Sequence, residues 1–248
     1  MKKHRFFEPE CLNHGDSLDH SDWTLSSNSH QHLRALRVRV GDRIVLFNGG
    51  GGSYEAEVVQ LKPIGVCRLV SYTPDHKPAH ALSQSLVVAL CQPQKMAWIV
   101  QKATELGVED IWPVHTQYSE VRGAQFSGDK QKRYETIIQQ ACAQSGRNRL
   151  PTMHQPLSLE QLTLPFEQEQ VACFLLHPES PYPLSITMME KYQSLIWFVG
   201  PEGGWSVSEL EYLKLKGCHQ VSVAPHILRM ETACVASLAM GNLMLNST

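Results

Sequence analysis

The chain has 248 residues, 42% of them hydrophobic and 19% charged, with 22 Lys and Arg against 24 Asp and Glu. That balance belongs to a folded globular protein and excludes the disordered, collagen-like and coiled-coil classes. A formal net charge of −2 means that a nucleic-acid partner would have to be held by local basic patches, since the overall field does not attract it.

The start, MKKHRFFEPE, is interrupted by acidic residues before an apolar signal-peptide core can form, and the chain reads as mature and cytoplasmic. The first 72 residues read as a small β-rich unit. Ile44 to Asn48 and Tyr54 to Leu61 are rich in β-branched and aromatic residues, and the run from Asn48 through Gly49–Gly52 to Ser53 separates them as a hairpin turn would. No Lys-Ser/Thr follows the glycines, so a phosphate loop is disfavoured. Gly65 to Tyr72 is a third strand candidate. Residues 73–84, with two prolines and no periodicity, read as a linker.

From Leu86 the pattern becomes alternating strands and helices. Leu86 to Leu90 is a short apolar strand, and Met96, Ile99, Val100, Ala103 and Leu106 lie at helical spacing before Gly107. Strands follow at Ile111 to Val114, Val171 to Leu176, Leu195 to Val199 and Val221 to Ala224, with helices at Gln131 to Gln144, Val207 to Lys216 and from about Glu231. Such alternation predicts an α/β domain with a mostly parallel sheet covered by helices. The longest apolar runs are far too short to cross a bilayer, so no membrane association is expected.

Three segments stand out for chemistry. Gly200-Pro201-Glu202-Gly203-Gly204-Trp205 follows a buried strand and precedes Ser206-Val207-Ser208-Glu209, a capping box. Ligands of open α/β sheets bind beyond the carboxyl ends of the strands, where this loop must lie, and glycines let a ligand approach the backbone. A plain strand-to-helix turn accounts for the same residues. Pro225 to Ala233 sets Arg229, Glu231 and Thr232 among apolar neighbours, as a reactive cluster or as an ion pair with Thr232 capping the last helix. Gln144-Ser145-Gly146-Arg147-Asn148-Arg149 ends a helix, so its arginines either complement the helix dipole or bind phosphate. Arg34, Arg37, Arg39 and Arg43 form a similar patch, solvated or in contact with RNA.

The seven cysteines (11, 67, 91, 142, 173, 218, 234) contain no C-x-x-C pair, which argues against a disulfide framework and a zinc ribbon. His30-x-His32 and His76-x-x-x-His80 have ligand-like spacing but lie in a polar stretch and in the linker, so no metal is expected. No G-x-S-x-G elbow supports a hydrolase.

In order, KHRFF (3–7), LRVRVGD (36–42), QKATELGV (101–108), ACAQSGRNR (141–149), FVGPEGGWS (198–206) and HILRMETA (226–233) resemble the ribosomal RNA small-subunit methyltransferase E family of the SPOUT superfamily. The resemblance covers nearly the whole chain. It implies a PUA-like β-barrel for RNA binding over residues 1–72, a linker over 73–84, and over 85–248 a knotted parallel-sheet domain with a deep trefoil knot. It implies a homodimer that uses S-adenosylmethionine to methylate N3 of a uridine in 16S ribosomal RNA, as naked RNA or in the small subunit. Carried over, the cofactor loops are Leu175-Leu176-His177, the turn with Gly200, Glu202, Gly203 and Gly204, and Val223 to Met230 with Val223, Ala224, Ile227, Leu228 and Met230. Arg34, Arg37, Arg147 and Arg149 become candidate RNA contacts.

Methyl transfer needs orientation and removal of the N3 proton, for which Arg229 is the candidate stabiliser of charge on a uracil oxygen and Glu231 the candidate base. Two residues depart from the usual pattern: Ala224-Pro225-His226 stands where Gly-Pro-Arg is usual, and Tyr118 where an arginine is usual. Two other readings compete: the same fold acting on another base or a ribose 2′-hydroxyl, and a noncatalytic RNA-binding protein.

Overall fold

Short segments of β-branched and aromatic residues need neighbours to bury their apolar faces, and in the first part of the chain they find them in one five-stranded sheet. The computed structural model describes residues 3–11, 22–75, 82–121 and 128–243. Strands β1 (Arg5–Phe7), β2 (Asp22–Thr24), β3 (Arg43–Phe47), β4 (Ser53–Gln60) and β5 (Val66–Thr73) lie in the order β1-β3-β4-β5-β2. Only β1 and β3 pair in parallel. The glycine run 49–52 does connect the antiparallel β3 and β4. Helix α1 (Ser27–Ala35), which the sequence reading lacks, packs Leu33 into a core of Phe6, Ile44, Leu46, Ala56, Val58 and Cys67. Its cap, Ser26, is tied to buried Glu8: the carboxylate accepts from the Ser26 amide at 3.1 Å and from its hydroxyl at 2.9 Å.

The chain divides into two compact units, Met1–Lys77 with Gln139–Leu150 and Pro78–Ile138 with Pro151–Thr248. Segment 139–150, assigned from sequence to the second domain, thus clusters with the first. The reason is local: Arg149 forms β-bridges with Gly49 and Gly50, and the Leu150 amide donates to the Gly49 carbonyl at 3.0 Å. Arg5 donates to the side chain of Asn148. Residues 76–81 of the expected linker, including His76 and His80, lie outside the described residues.

In the second unit, β6 (Ser83–Ala89), β7 (Asp110–His115), β8 (Thr152–Met153), β9 (Leu157–Ser158), β10 (Val171–Leu176), β11 (Ser194–Val199) and β12 (His219–Val221) form one sheet. The order is β12-β10-β11-β6-β7-β8, β9 also pairs with β7, and every pairing is parallel. Strands β10 and β11 are nearly continuous apolar runs, buried on both faces along almost their whole length. Val87, Val114, Leu175, Ile196 and Phe198 share a core with Trp205 and Leu213, the latter on α4 (Val207–Leu215). On α2 (Pro93–Glu105), Met96, Ile99, Val100 and Ala103 are buried. Helix α5 (Met230–Asn242) packs on α2, β6 and β11. Helix α3 (Asp129–Ser145) lies between β7 and β8 in the chain.

The strand expected at Val221 to Ala224 ends at Val221. Ser222 instead pairs with the 182–184 segment, its amide donating to the Tyr182 carbonyl at 2.9 Å and its carbonyl accepting from Leu184 at 2.8 Å. From there the chain leaves edge strand β12 and returns to place α5 on β11 and β6, two and three strands away.

All seven cysteines are free and buried. Burial pushes the thiols of Cys11, Cys67 and Cys91 up to about 12 and that of Cys142 to about 11. Titration of the native protein with an aromatic disulfide reagent at pH 8 is therefore expected to find no fast-reacting thiol, with all seven reacting in denaturant. Because the folded values are raised, thiols of the unfolded chain ionise first. Stability should fall as pH rises past the ordinary thiol range, seen as a Tm that drops between pH 8 and 10.

Candidate active site

Strands β12, β10 and β11 are neighbours and parallel, so the loops that leave their carboxyl ends emerge at one edge of the sheet, where α/β proteins bind ligands. These are the segment after Leu176, the turn 200–204 and the segment 222–229. The connections after β6 and β7, carrying Cys91, Lys95, Tyr118 and Glu120, leave the same edge. The first loop is held by the His177 amide, which donates to the Val221 carbonyl at 2.9 Å, while His177 Nδ1 accepts from the Glu179 amide at 3.2 Å.

The turn 200–204 is shaped by its glycines. Gly204 has φ +75°, which L side chains rarely adopt, and its amide closes the turn on the Pro201 carbonyl at 2.9 Å. A Cβ on Gly200 would stand 2.9 Å from the ring of buried Trp205, and one on Gly203 would meet Tyr118 Cβ at 3.0 Å. Tyr118 thus backs onto the turn. The expected capping box forms: Ser206 Oγ accepts from the Glu209 amide at 3.3 Å, and Glu209 Oε2 accepts from the Ser206 amide at 2.8 Å. Glu209 also accepts from the Gln117 amide at 2.7 Å, joining the β7 loop to this helix start.

Beside the turn, Lys95 from the first turn of α2 donates to Glu202 and lies 3.9 Å from Glu120. The hydrogen bond to Glu202 holds the Lys95 ammonium above its ordinary range, with Glu120 and Glu231 adding to the effect. The same bond holds the Glu202 carboxyl below the usual carboxylate range, aided by the charge of Arg229. The structure therefore brings together Glu202, Arg229 and Glu231, as singled out from sequence, with Lys95 and Glu120, which sequence reading missed. A lysine on a helix and a glutamate in a loop carry no local signal that a sheet will join them.

Arg229 is the N-cap residue of α5, makes no side-chain cap bond, and is exposed. The alternative of Thr232 as helix cap is thereby corrected: Thr232 is the third helical residue and exposed. Glu231 is half-buried, and its Oε2 is buried without a hydrogen-bond partner among the described residues. An orphan acceptor in that position calls for a donor. Of the remaining loop residues, Val223, Ala224 and Leu228 are half-buried, Met230 is buried at the start of α5, and His226 and Ile227 are exposed. Met230 is thus covered while Ile227 faces solvent.

The candidate RNA contacts belong to the first unit. Arg34 is exposed in the last turn of α1. Arg37 follows with φ +56°, a left-handed conformation that costs a non-glycine residue about 1–2 kcal/mol. Arg147 is half-buried. Arg149 is exposed but occupied, with Nε 3.1 Å from Asp75 and a nitrogen donating to the Gly50 carbonyl at 3.0 Å. His30 and His32 have structural partners: His30 Nδ1 accepts from the Gly65 amide at 3.0 Å, and His32 meets Phe6 edge-on. Among the described residues, no three His, Cys, Asp or Glu side chains converge as metal ligands would, and no helix is long and apolar enough to cross a membrane.

Residues 78–242 match the family model of the RNA methyltransferase domain, and residues 31–67 that of the RNA methyltransferase PUA domain. Curated relatives named ribosomal RNA small subunit methyltransferase E include that of Bacillus subtilis, 27% identical over 85% of each chain, and that of Rickettsia conorii, 27% identical over 91% of each. Among solved structures, the small subunit methyltransferase E of Neisseria gonorrhoeae bound to S-adenosyl methionine superposes with a TM-score of 0.84 at 27% identity over 98% of each chain. A putative methyltransferase of Legionella pneumophila in complex with the same cofactor gives the same TM-score, identity and coverage.

Proposed function

Because the chain belongs to the RNA methyltransferase family, we propose that it methylates N3 of a uridine in 16S ribosomal RNA with S-adenosylmethionine, acting in the cytoplasm as a homodimer without a metal. The observation that carries this reading is the convergence of three loops, Arg229 and the orphan Glu231 oxygen on one edge of a parallel sheet. Residues 1–72 are assigned the PUA-like RNA-binding role and 85–248 the catalytic role, with the trefoil knot on the path from β10 through β12 to α5.

The edge fits the cofactor. Gly204 leaves open space where a side chain would stand, Gly200 and Gly203 let Trp205 and Tyr118 pack against the turn, half-buried Val223, Ala224 and Leu228 supply apolar surface, and Leu176 and His177 border the first loop. When bound, S-adenosylmethionine supplies a methyl group activated by a sulfonium. Arg229 then faces the uracil carbonyl oxygen on which charge gathers as the imide ionises, and its guanidinium stabilises that charge. The Glu231 carboxylate takes the N3 proton and returns it to water. The departures keep these parts: Tyr118 packs on the turn, and His226 is exposed.

RNA phosphates are assigned to Arg34, Arg37, Arg147 and Arg149. The strained backbone of Arg37 supports this, because glycine would be favoured there if the side chain had no use. For Arg149 the contact requires exchange of Asp75 for phosphate.

The test is to incubate the protein with labelled S-adenosylmethionine and either naked 16S RNA or small subunits, then digest the RNA to nucleosides. Labelled 3-methyluridine is expected. Label in a 2′-O-methyl nucleoside or another base would assign the same fold a different acceptor, and RNA binding without label would leave a noncatalytic binder.

A further inference from the structure

The turn 200–204 is anchored unevenly. Its two ends are fixed in the core, by buried Pro201 and by Trp205 beneath Gly200. Glu202, at its tip, has a side chain 50% exposed, yet it reaches the ammonium of Lys95, whose side chain is only 19% exposed. Lys95 in turn stands in the first turn of α2, the helix on which α5 packs, with Glu120 of the β7 loop at 3.9 Å. One cation thus joins the β11 turn, the β7 loop and the start of α2, and lies within electrostatic reach of Glu231 on α5. No other cation among the described residues makes an ion pair with Glu120 or Glu202.

We propose that Lys95 is a positioning residue of this site: bonded to Glu202, it holds the 200–204 turn in the one arrangement that receives S-adenosylmethionine. This rests on the methyltransferase reading given above. Lys95 touches neither reactant, so its effect runs through Glu202. Without it, Glu120, Glu202 and Glu231 would be left with only the exposed Arg229 as a nearby counter-charge, and the exposed tip carrying Glu202 would move outward. An isolated surface ion pair is worth little. This one is different in that the lysine stem is largely covered, two carboxylates share it, and the segment it restrains is the ligand loop. Ordering such a loop before binding spares that cost at binding, which appears as affinity.

Calorimetry of S-adenosylmethionine binding to the full chain reads this directly. Lys95→Gln and Glu202→Gln are each expected to weaken binding about tenfold, and the double variant no further, because both break one link. Lys95→Arg should recover most of the loss. In methylation assays of the Lys95 variants KM for the cofactor should rise while kcat at saturation stays within about twofold, since Lys95 is not among the reacting groups. Wild-type affinity in either single variant, or effects that multiply in the double, would overturn the proposal, as would a fall in kcat with unchanged KM. Glu202 is exposed at a loop tip, so Glu202→Gln keeps the test decisive if Lys95→Gln fails to fold. Absence of binding by the wild-type protein would instead sink the methyltransferase reading, and this inference with it.

Discussion

Arg229→Ala is expected to lower the single-turnover methylation rate about a hundredfold, the usual effect of removing one group that stabilises a developing oxyanion, while S-adenosylmethionine affinity and Tm stay near wild type. The structure makes the second half of that expectation specific. Arg229 is exposed, and its side chain makes no cap bond to α5, so its removal opens no cavity and orphans no buried group. Rates measured with saturating cofactor across pH carry the sharper signal. If the guanidinium assists loss of the imide proton, hydroxide takes over more of that task as pH rises, and the variant should gain on the wild type at alkaline pH. Parallel profiles, or a variant that no longer binds cofactor, would leave Arg229 as a scaffold residue.

Gly241→Ala is expected to destabilise the second unit by about 3 kcal/mol, on the order of 10 °C in Tm for a chain of this size. At an open helical position the same change gains about 1 kcal/mol. Here a Cβ would overlap the carboxamide of Gln84. That amide cannot step aside freely: its oxygen accepts from Trp197 Nε1 at 2.9 Å, and its nitrogen donates to Asn242 Oδ1 at 2.7 Å and to the Leu238 carbonyl. Asn242 continues the chain of bonds to the Leu106 carbonyl at 2.9 Å. Through one buried glutamine, α5 is locked to β6, β11 and the end of α2. Shortening the side chain by Gln84→Ala removes the obstacle, so Gly241→Ala should cost little more in that background. Additive losses, read by thermal unfolding, would mean that Gly241 serves some other contact.

Much of the architecture was legible because it rests on local chemistry. The apolar runs at 171–176 and 195–199 are strands to within a residue of their expected limits, since a strand buried on both faces must be apolar throughout. The Ser206–Glu209 box declares the start of α4 through two reciprocal bonds within one turn. Helix α1 escaped notice because only Ser29 and Leu33 of its nine residues are buried, too few for an apolar period to emerge. Its start is fixed by Glu8, 18 residues earlier. The short strands β8 and β9, two residues each, have no pattern to read.

The sequence by itself determined the fold class and the alternation of the longer strands and helices from Leu86 onward, because each is a matter of neighbours a few residues apart. Order across the sheet was decided only by tertiary structure. Placing β10 between β11 and β12 is what brings three loops to one edge, and no periodicity encodes which parallel strand lies beside which. The same holds for Lys95 and Glu202, separated by 107 positions, for Gln84 against Gly241, and for the attachment of residues 139–150 to the first unit. Each partner is ordinary in its own stretch of chain. Its role arises from burial and charge balance that exist only once distant segments have packed.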